Sequence, residues 1–407
     1  MTKDEPRPLG DTKLFQPIKV GTHELANRVV YAPSTRLRAL ANHVPSDLQV
    51  QYYDERSKTP GSLSITEATF VSPQAAGYAH VPGIWNDEQV KGWKAVTDKV
   101  HANKSLISVQ LWNLGRAADP KVLKEEGQDY VSASQVYDTE ERKQAAEAAG
   151  NPLRALTTEE VDNLIEKVYP NAVQKALEAG FDYFELHSAH GYLLDQFLQS
   201  ESNKRTDKYG GSIENRARLV LALVDKLGEQ FGYEKIAIRI SPWAQFQGMK
   251  GKNSEVHPLA TFGYLLSELQ RRANDGKQLA YVSVVDPRVQ GSSDKETDLT
   301  SESNDFVSLI WKGIIIKAGN YTYDSPKFTR LLEDIEDDRT LIGFSRYFTS
   351  NPDLVERLRK GEELTPYERV FFYTPSNWGY NTYSNYDEPK QLNEAEEKER
   401  LPKPIKP

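Results

Sequence analysis

A cluster of three side chains that can hold or pass a proton lies near the middle of the sequence. His187, His190 and Tyr192 fall within six residues, directly after a strand-like segment at 181–186, and the chain is expected to turn sharply at Gly191. Two imidazoles can donate hydrogen bonds to a carbonyl or nitro oxygen on which negative charge develops. A neighbouring phenol can act as a general acid. The spacing therefore indicates polarisation of a substrate followed by proton transfer.

The same residues permit plainer interpretations. A histidine pair in a loop can be a polar group with its hydrogen bonds satisfied, and a tyrosine after Gly191 can serve packing alone. The histidines could also bind a metal ion, but no third histidine or carboxylate ligand is obvious beside them. We expect no metal, and the position of the cluster at a strand end favours a ligand site.

Eight strand-like segments alternate with helix-like segments along most of the chain. Most of these strands are apolar on both faces, as strands buried between a core and a helix layer are. The pattern predicts an α/β fold, a (β/α)8 TIM barrel with an N-terminal β-hairpin and an inserted, irregular excursion at 119–156 after the third strand. An open doubly wound sheet is the alternative, although no G-x-G-x-x-G motif follows an early strand. The predicted strands are residues 27–33, 62–68, 106–112, 181–186, 235–240, 280–285, 313–318 and 340–344.

Several signals place helices between the strands. Thr157 with Glu160 three residues later forms a capping box for a helix from 158, which Pro170 is expected to kink or divide. Ser212 is a favoured cap for a helix over 212–231. Further helices are predicted at 87–103, 261–274, 324–337 and 352–360.

Composition narrows the class of protein. The 407 residues carry a formal net charge of −8, which argues against a nucleic-acid partner because phosphate binding requires a basic face. Cysteine is absent, which excludes disulfides and thiolate chemistry. No apolar run reaches the roughly 20 residues of a membrane span, so we expect a cytoplasmic protein with no membrane partner. We divide the chain into a flexible leader at 1–12, a single barrel domain at 13–386 and a charged tail at 387–407.

In a barrel, the carboxyl ends of all eight strands meet at one rim and form one site. The residues expected there are poor in carboxylates: a glycosidase needs two facing acids, and Glu67 with Asp286 makes a weak pair. Glycine and arginine after strands seven and eight match the usual phosphate position of such barrels. An amide at Gln110 and an arginine at Arg239, from neighbouring parts of the rim, suit the ring of a flavin mononucleotide. The expected rim residues are Pro33, Ser34, Thr35, Ala68, Gln110, Trp112, His187, His190, Arg239, Asp286, Gly319, Asn320, Ser345 and Arg346.

Longer motifs carry a resemblance to a known family. The run HSAHGYLLDQFL at 187–198, followed by NKRTDKYGGSIENR at 203–216, resembles the Old Yellow Enzyme family of FMN-dependent ene-reductases. Shorter matching segments are APSTRLR at 32–38, VQLW at 109–112, IRISP at 238–242, KAGN at 317–320 and SNPDL at 350–354. The resemblance spans residues 13 to 386, which is nearly the whole chain.

The resemblance implies an FMN-bearing barrel that takes hydride from NADPH, or from NADH, and passes it to an electron-poor alkene. It implies that Thr35 bonds a flavin carbonyl, Gln110 holds the pyrimidine edge and Arg239 lies near the ring nitrogen that becomes anionic on reduction. Pro33 and Ala68 would also contact the cofactor. The phosphate would be held by Gly319, Asn320, Ser345 and Arg346.

The resemblance also implies the substrate site. His187 and His190 would grip the substrate oxygen, and Tyr192 would protonate the α-carbon. The pocket would be shaped by Trp112, Tyr78, Phe372 and Tyr373. The partners would be small electron-poor alkenes, and the protein would be a monomer or a homodimer.

The sequence departs from the family pattern at three positions, and two alternative functions remain open. His190 stands where many yeast members have Asn, and both types donate a hydrogen bond. Ala68 and Ser345 stand where glycine is expected, which bears on how tightly FMN is held. One alternative is a pathway-specific reductase or isomerase of fungal secondary metabolism. The other is a non-enzymatic flavin-binding redox sensor.

Overall fold

Eight short apolar strands form a closed, all-parallel barrel. The computed structural model describes residues 7–291, 293–294 and 301–406. Each strand pairs with its neighbour in sequence, and β8 closes the barrel on β1. The predicted (β/α)8 fold is confirmed. The strands are β1 Val29–Tyr31, β2 Leu63–Phe70, β3 Leu106–Trp112, β4 Tyr183–Ser188, β5 Ile236–Ile240, β6 Tyr281–Val285, β7 Ile315–Ala318 and β8 Thr340–Phe344.

One principal helix follows each strand. These are α1 Asp47–Arg56, α2 Asp87–Ala102, α3 Tyr169–Glu178, α4 Ile213–Phe231, α5 Pro258–Asn274, α6 Asp305–Ile310, α7 Thr329–Asp334 and α8 Leu354–Lys360. A hairpin, Ile18–Val20 with His23–Leu25, precedes the barrel as predicted. Further α-helices lie at Pro120–Glu125, Glu140–Ala148, Thr158–Asn163, Leu193–Leu198, Arg346–Ser350 and Glu394–Glu399.

The strands are buried on both faces because each separates two apolar layers. On β4, Phe184 and Leu186 point outward into the core beneath the helices. Tyr183 points inward, into a core with Val30 and Tyr281 at the amino-terminal end of the barrel. This double burial explains the continuous apolar runs, since a parallel strand under a helix layer has no solvent face.

A register shift between β2 and β3 sets the direction of two adjacent side chains. Ile65 pairs with Ser108 and Ala68 with Gln110, so β2 carries one extra residue. Glu67 points away from the barrel mouth and accepts a 2.7 Å hydrogen bond from Gln49 Nε2. Ala68 lines the mouth. Glu67 and Ala68 therefore point in different directions although they are adjacent in sequence.

Two predicted segments differ from the structure. The excursion at 119–156 contains two helices and a small parallel sheet of Val131–Ser132 with Arg154–Ala155, rather than irregular chain alone. The helix predicted at 324–337 is wrong at both ends, because α7 covers only Thr329–Asp334. Phe328 has a left-handed φ of 51°, and Asp324 Oδ2 accepts a hydrogen bond from Thr329 N, so the chain turns before the helix.

The helix that the Thr157 capping box announces is divided, as predicted. A π-helical turn at Leu164–Val168 separates Thr158–Asn163 from α3. Pro170 lies directly after this turn and has no backbone N–H to donate. Within the described residues, no helix is long and apolar enough to cross a membrane.

Segments near both termini of the protein pack on the barrel domain. Residues 1–6 of the expected leader lie outside the described residues, but Leu9 is buried and its N–H donates to the carbonyl of Leu358. The second half of the leader is therefore attached rather than free. In the charged tail, backbone hydrogen bonds join Asn377 to Arg400 and Asp47 to Lys403.

Two buried arginines connect the loop after β1 to the C-terminal segment at 369–380. Arg36 donates to the carbonyl of Gly379 at 2.7 Å, and Arg38 donates to the carbonyl of Phe372 at 2.8 Å. Both guanidinium groups also lie over the Tyr380 ring, at 5.1 Å and 4.7 Å from its centroid. The segment that carries Phe372 is thereby held beside the barrel mouth.

We expect Arg38→Met to lower the free energy of unfolding by about 3 kcal/mol, because it removes the donors from several buried carbonyls. Urea unfolding followed by tryptophan fluorescence measures this. Lys91→Met, which removes an exposed cation from α2, is the matched control and should change stability by less than about 0.5 kcal/mol. Equal stability of the two variants would contradict the role of Arg38.

Candidate active site

A cleft at the carboxyl ends of the strands brings together nearly all of the predicted site residues. The exceptions are Asp286 and Tyr78, neither of which lines it. Tyr78 instead donates to the carbonyl of Ala117 at 2.9 Å and packs against the edge of Trp112. The Tyr78 hydroxyl is therefore occupied by the Ala117 carbonyl, and the Tyr78 ring supports Trp112 from behind. The cleft is lined by Pro33, Thr35, Ala68, Gln110, Trp112, His187, His190, Tyr192, Arg239, Gly319, Asn320, Ser345, Arg346, Phe372 and Tyr373, among others.

Four rings form a connected group at one side of the cleft. The His187 ring centroid is 5.0 Å from that of Tyr192 and 5.7 Å from that of His190. Trp112 meets Tyr192 edge to face at 4.8 Å and lies nearly parallel to His187 at 6.1 Å. The two imidazoles and the phenol that the sequence placed within six residues therefore also converge in space.

A tight turn makes this convergence possible. His190 and Gly191 both have left-handed φ angles, of 59° and 75°. The turn is held by hydrogen bonds of 2.8 Å from His190 N to Ser241 Oγ and from Gly191 N to Asp195 Oδ2. A Cβ at Gly191 would lie 2.5 Å from the Cβ of Gln247, so only glycine fits there.

Burial determines the charge of the three groups. Burial, reinforced by the charges of His190 and Arg239, lowers the pKa of His187 well below its usual value. Burial and the nearby Arg239 lower the pKa of His190 to about 3. Burial raises the pKa of Tyr192. At neutral pH both imidazoles are therefore uncharged, and the phenol keeps its proton.

The floor of the cleft carries an amide and a guanidinium. Gln110 Nε2 on β3 donates a 2.7 Å hydrogen bond to Glu185 Oε1 on β4. Arg239 on β5 lies beside His187 in register, and burial lowers its pKa. Among the described lining residues none is acidic.

Donors for an anion gather after β7 and β8. Gly319 and Asn320 have positive φ angles of 147° and 53°, and a Cβ at Gly319 would lie 2.6 Å from the Cβ of Asp286. Asn320 Nδ2 donates to Asp294 Oδ1 at 2.9 Å, and Arg346 Nη2 bonds the same oxygen. The hydrogen bond from Arg346 lowers the pKa of Asp294. Two of the donors expected to hold a phosphate, Asn320 and Arg346, thus pair with a carboxylate of the same chain.

The two carboxylates considered for hydrolysis do not face one another across the cleft. Glu67 is buried behind β2, and burial raises its pKa to about 7. Asp286, expected at the rim, does not line the cleft and accepts a hydrogen bond from Asn304. Within the described residues, no group of three or more His, Asp or Glu side chains is arranged to hold a metal ion.

Sequence reasoning did not anticipate several residues of the cleft. Tyr321 and Tyr347 directly follow predicted phosphate residues, so their position in the chain was a usable signal. Phe246 and Gly291 come from loops after β5 and β6 and meet at the mouth, where a Cβ on Gly291 would lie 2.8 Å from the Phe246 ring. No local pattern marks these two, because loop contacts depend on the fold.

The cleft fits the flavin that the resemblance implies. Four buried nitrogen atoms have no hydrogen-bond partner within the described part of the chain, and they belong to His187 Nδ1, His190 Nε2, Arg239 Nε and Trp112 Nε1. Buried polar atoms of this kind are normally satisfied by a ligand or by water. Ala68 and Ser345, where glycine was expected, leave the cleft open, since Ser345 Oγ turns to Ser34 Oγ at 2.6 Å.

Comparison with known proteins shows the family. Residues 13–365 match the family described as NADH:flavin oxidoreductase / NADH oxidase. The chain is 56% identical over 378 residues to a probable NADPH dehydrogenase of Candida albicans, covering 92% of each protein. It is 46% identical over 389 residues to Enoate reductase 1 of Kluyveromyces lactis, covering 94% of this chain and 96% of the relative.

A solved structure agrees with these matches. The crystal structure of Old Yellow Enzyme from Pichia sp. AKU4542 has a TM-score of 0.92 and 50% identity, and the alignment covers 98% of this chain and 100% of that chain. The resemblance to the Old Yellow Enzyme family inferred from the motifs is confirmed. The chain therefore belongs to the NADH:flavin oxidoreductase / NADH oxidase family, as an FMN-dependent oxidoreductase of the Old Yellow Enzyme type that uses a nicotinamide cofactor.

Proposed function

We propose that the protein is an ene-reductase that uses NADPH to reduce the C=C bond of α,β-unsaturated carbonyl or nitro compounds. The observation that carries this proposal is the convergence of two neutral imidazoles, each with an unpartnered nitrogen, and one protonated phenol in a single cleft. Bound FMN supplies the hydride, which comes from NADPH and goes to the alkene.

The cofactor would be held by residues of two regions of the rim. Thr35, Gln110 and Arg239 would bind the ring, with Pro33 and Ala68 packed against it. Gly319, Asn320, Ser345 and Arg346 would bind the phosphate, because a glycine-opened backbone and an arginine fork suit a phosphate dianion.

His187 and His190 would bind the substrate oxygen. Since both imidazoles are neutral, each donates one N–H, and neither carries a proton that it must lose before the substrate enters. Their hydrogen bonds withdraw electron density from the conjugated alkene. The β-carbon then becomes the position that accepts hydride, while charge accumulates on the oxygen that the imidazoles hold.

Tyr192 would complete the reaction by delivering a proton to the α-carbon. Its hydroxyl is protonated at neutral pH because burial raises its pKa, and it lies beside the His187 ring. A buried phenol is a weak acid toward water but transfers a proton to a carbanion-like carbon that is held in place. Trp112, Phe372 and Tyr373 surround the same space and would select flat, apolar substrates.

NADPH and the alkene would use the cleft in turn, which gives ping-pong kinetics. Tyr192 lines the cleft as the reductive role requires, and this favours alkene reduction over a sensor that only binds flavin. The same residue favours plain reduction over a pathway-specific isomerisation. A sensor would have no use for a protonated phenol beside two unpartnered imidazoles.

Replacing Tyr192 with Phe separates the two half-reactions. We expect reduction of the bound flavin by NADPH to stay within about threefold of wild type, and reoxidation by cyclohexenone to slow by about 10²–10⁴ because the general acid is lost. Anaerobic stopped-flow absorbance measures both. Tyr386→Phe, which removes a hydroxyl from an exposed side chain outside the cleft, is the matched control and should leave both steps near wild type. A Tyr192→Phe enzyme with normal reoxidation would refute the assignment.

The lowered pKa values of the imidazoles predict a flat pH profile. Because His187 and His190 are neutral well below pH 6.5, neither changes charge between about pH 5 and 8. The rate constant for reoxidation by cyclohexenone should therefore show no imidazole limb in that range. A limb near the ordinary histidine pKa that disappears in His190→Asn, a variant that keeps a donor, would contradict this.

Asp294 should compete with the FMN phosphate for Asn320 and Arg346. Asp294→Asn removes the negative charge, so we expect FMN to bind about three- to tenfold more tightly. Quenching of flavin fluorescence on titration of FMN-free protein measures the dissociation constant. Asp275→Asn, at the exposed end of α5, controls for net charge and should leave binding unchanged. Unchanged or weaker binding in Asp294→Asn would count against competition.

A further inference from the structure

We propose that Glu185 is a positioning residue for FMN, which orients the Gln110 amide toward the flavin ring and opposes reduction of that ring with its negative charge. Glu185 lies on β4 directly beneath the cleft and does not itself line it. The inference needs only that the protein binds FMN, and it holds whether or not the bound flavin reduces alkenes.

The first support is geometric. Gln110 and Glu185 are register partners on β3 and β4, and both side chains are buried. The 2.7 Å contact joins Gln110 Nε2 to Glu185 Oε1. When Glu185 is ionised it can only accept hydrogen bonds, so the amide nitrogen of Gln110 faces it. The amide oxygen of Gln110 is thereby left to face the cleft as an acceptor.

An oriented amide matters because the edge of a flavin pyrimidine ring carries both a donor and acceptors. An acceptor at Gln110 matches the ring imide N–H. A flipped amide would instead bring an N–H group against that N–H, which costs a buried hydrogen bond. Glu185 thus removes one of the two orientations of Gln110 before the cofactor binds.

The second support is the arrangement of charge. Arg239 is register partner to His187 and so lies one layer above Glu185 inside the barrel. No direct ion pair joins Arg239 to Glu185, although their charges act on one another. Glu185 Oε2 and Arg239 Nε both have no hydrogen-bond partner among the described residues. The carboxylate of Glu185 and the guanidinium of Arg239 therefore oppose one another at the floor of the cleft without forming an ion pair.

The opposite charges of Glu185 and Arg239 affect any negative charge that develops on a flavin ring above the floor of the cleft. In a buried site of low dielectric constant, a carboxylate raises the energy of a nearby anion and a guanidinium lowers it. Glu185 offsets part of the attraction that Arg239 exerts on an anionic reduced ring. Burial raises the pKa of Glu185, while Arg239 and the hydrogen bond from Gln110 favour its charged form.

Glu185→Gln tests both the orienting role and the electrostatic role of Glu185, because it keeps the size of the side chain and removes the charge. We expect oxidised FMN to bind at least about threefold more weakly, since the two facing amides no longer fix the orientation of Gln110. We expect the two-electron reduction potential to become more positive, by ~30 mV for each tenfold gain in preference for the reduced cofactor. Flavin fluorescence released from diluted holoenzyme measures binding, and equilibration with a redox dye measures the potential.

Glu185→Asp separates orientation from charge. It keeps the carboxylate but withdraws it by one methylene, so it should weaken FMN binding and leave the potential near wild type. Asp182→Asn, at the other end of the same strand, is the control for a general loss of stability and should change neither quantity. Its carboxylate bonds Ile107 N, far below the cleft.

Each measured quantity supports or overturns one part of the proposal. Unchanged FMN binding in Glu185→Gln overturns the orienting role, and an unchanged or more negative potential overturns the electrostatic role. If Glu185→Gln yields no folded protein, Glu185→Asp with wild-type binding overturns the proposal. A wild-type protein that binds FMN but reduces no alkene would refute the proposed ene-reductase activity and leave the results for Glu185 unaffected.

Discussion

The hydrogen-bond register of three adjacent strands underlies the whole site. Gln110 pairs with Glu185 across β3 and β4, and His187 pairs with Arg239 across β4 and β5. Because side chains alternate along a strand, Glu185 and His187 both point inward, in successive layers. A slip of one residue in β4 would turn both side chains out beneath the helices and bring Leu186 into the barrel. The apolar outer face of β4 prevents this slip.

A second constraint is the burial of polar side chains of the cleft, including His187, His190 and Tyr192, away from water. Four residues that line the cleft carry buried nitrogen atoms without a partner among the described residues, and no acidic side chain is found in the described lining. Such a set is unfavourable unless a ligand with acceptors and negative charge completes it. The same burial keeps His187 and His190 neutral and Tyr192 protonated. One physical cause therefore accounts both for the affinity expected for a flavin and for the protonation states that alkene reduction requires.

Distant parts of the chain complete the mouth of the cleft. Arg36 and Arg38, in the loop after β1, hold the carbonyl groups of the C-terminal segment that carries Phe372 and Tyr373. One side of the cleft mouth is thus built by a segment more than 300 positions away in sequence from the arginines that hold it.

The sequence by itself determined the eight strands, the turn at Gly191 and most of the rim, because these depend on local patterns: apolar runs, caps and residues next to strand ends. It also carried the motifs whose family was confirmed. Only the tertiary structure decided that Tyr78 lies behind Trp112, that α7 starts at Thr329, and that Asp294 reaches the anion donors. These depend on contacts between segments far apart in the chain. No local pattern encodes which distant group a side chain will meet once the barrel has closed.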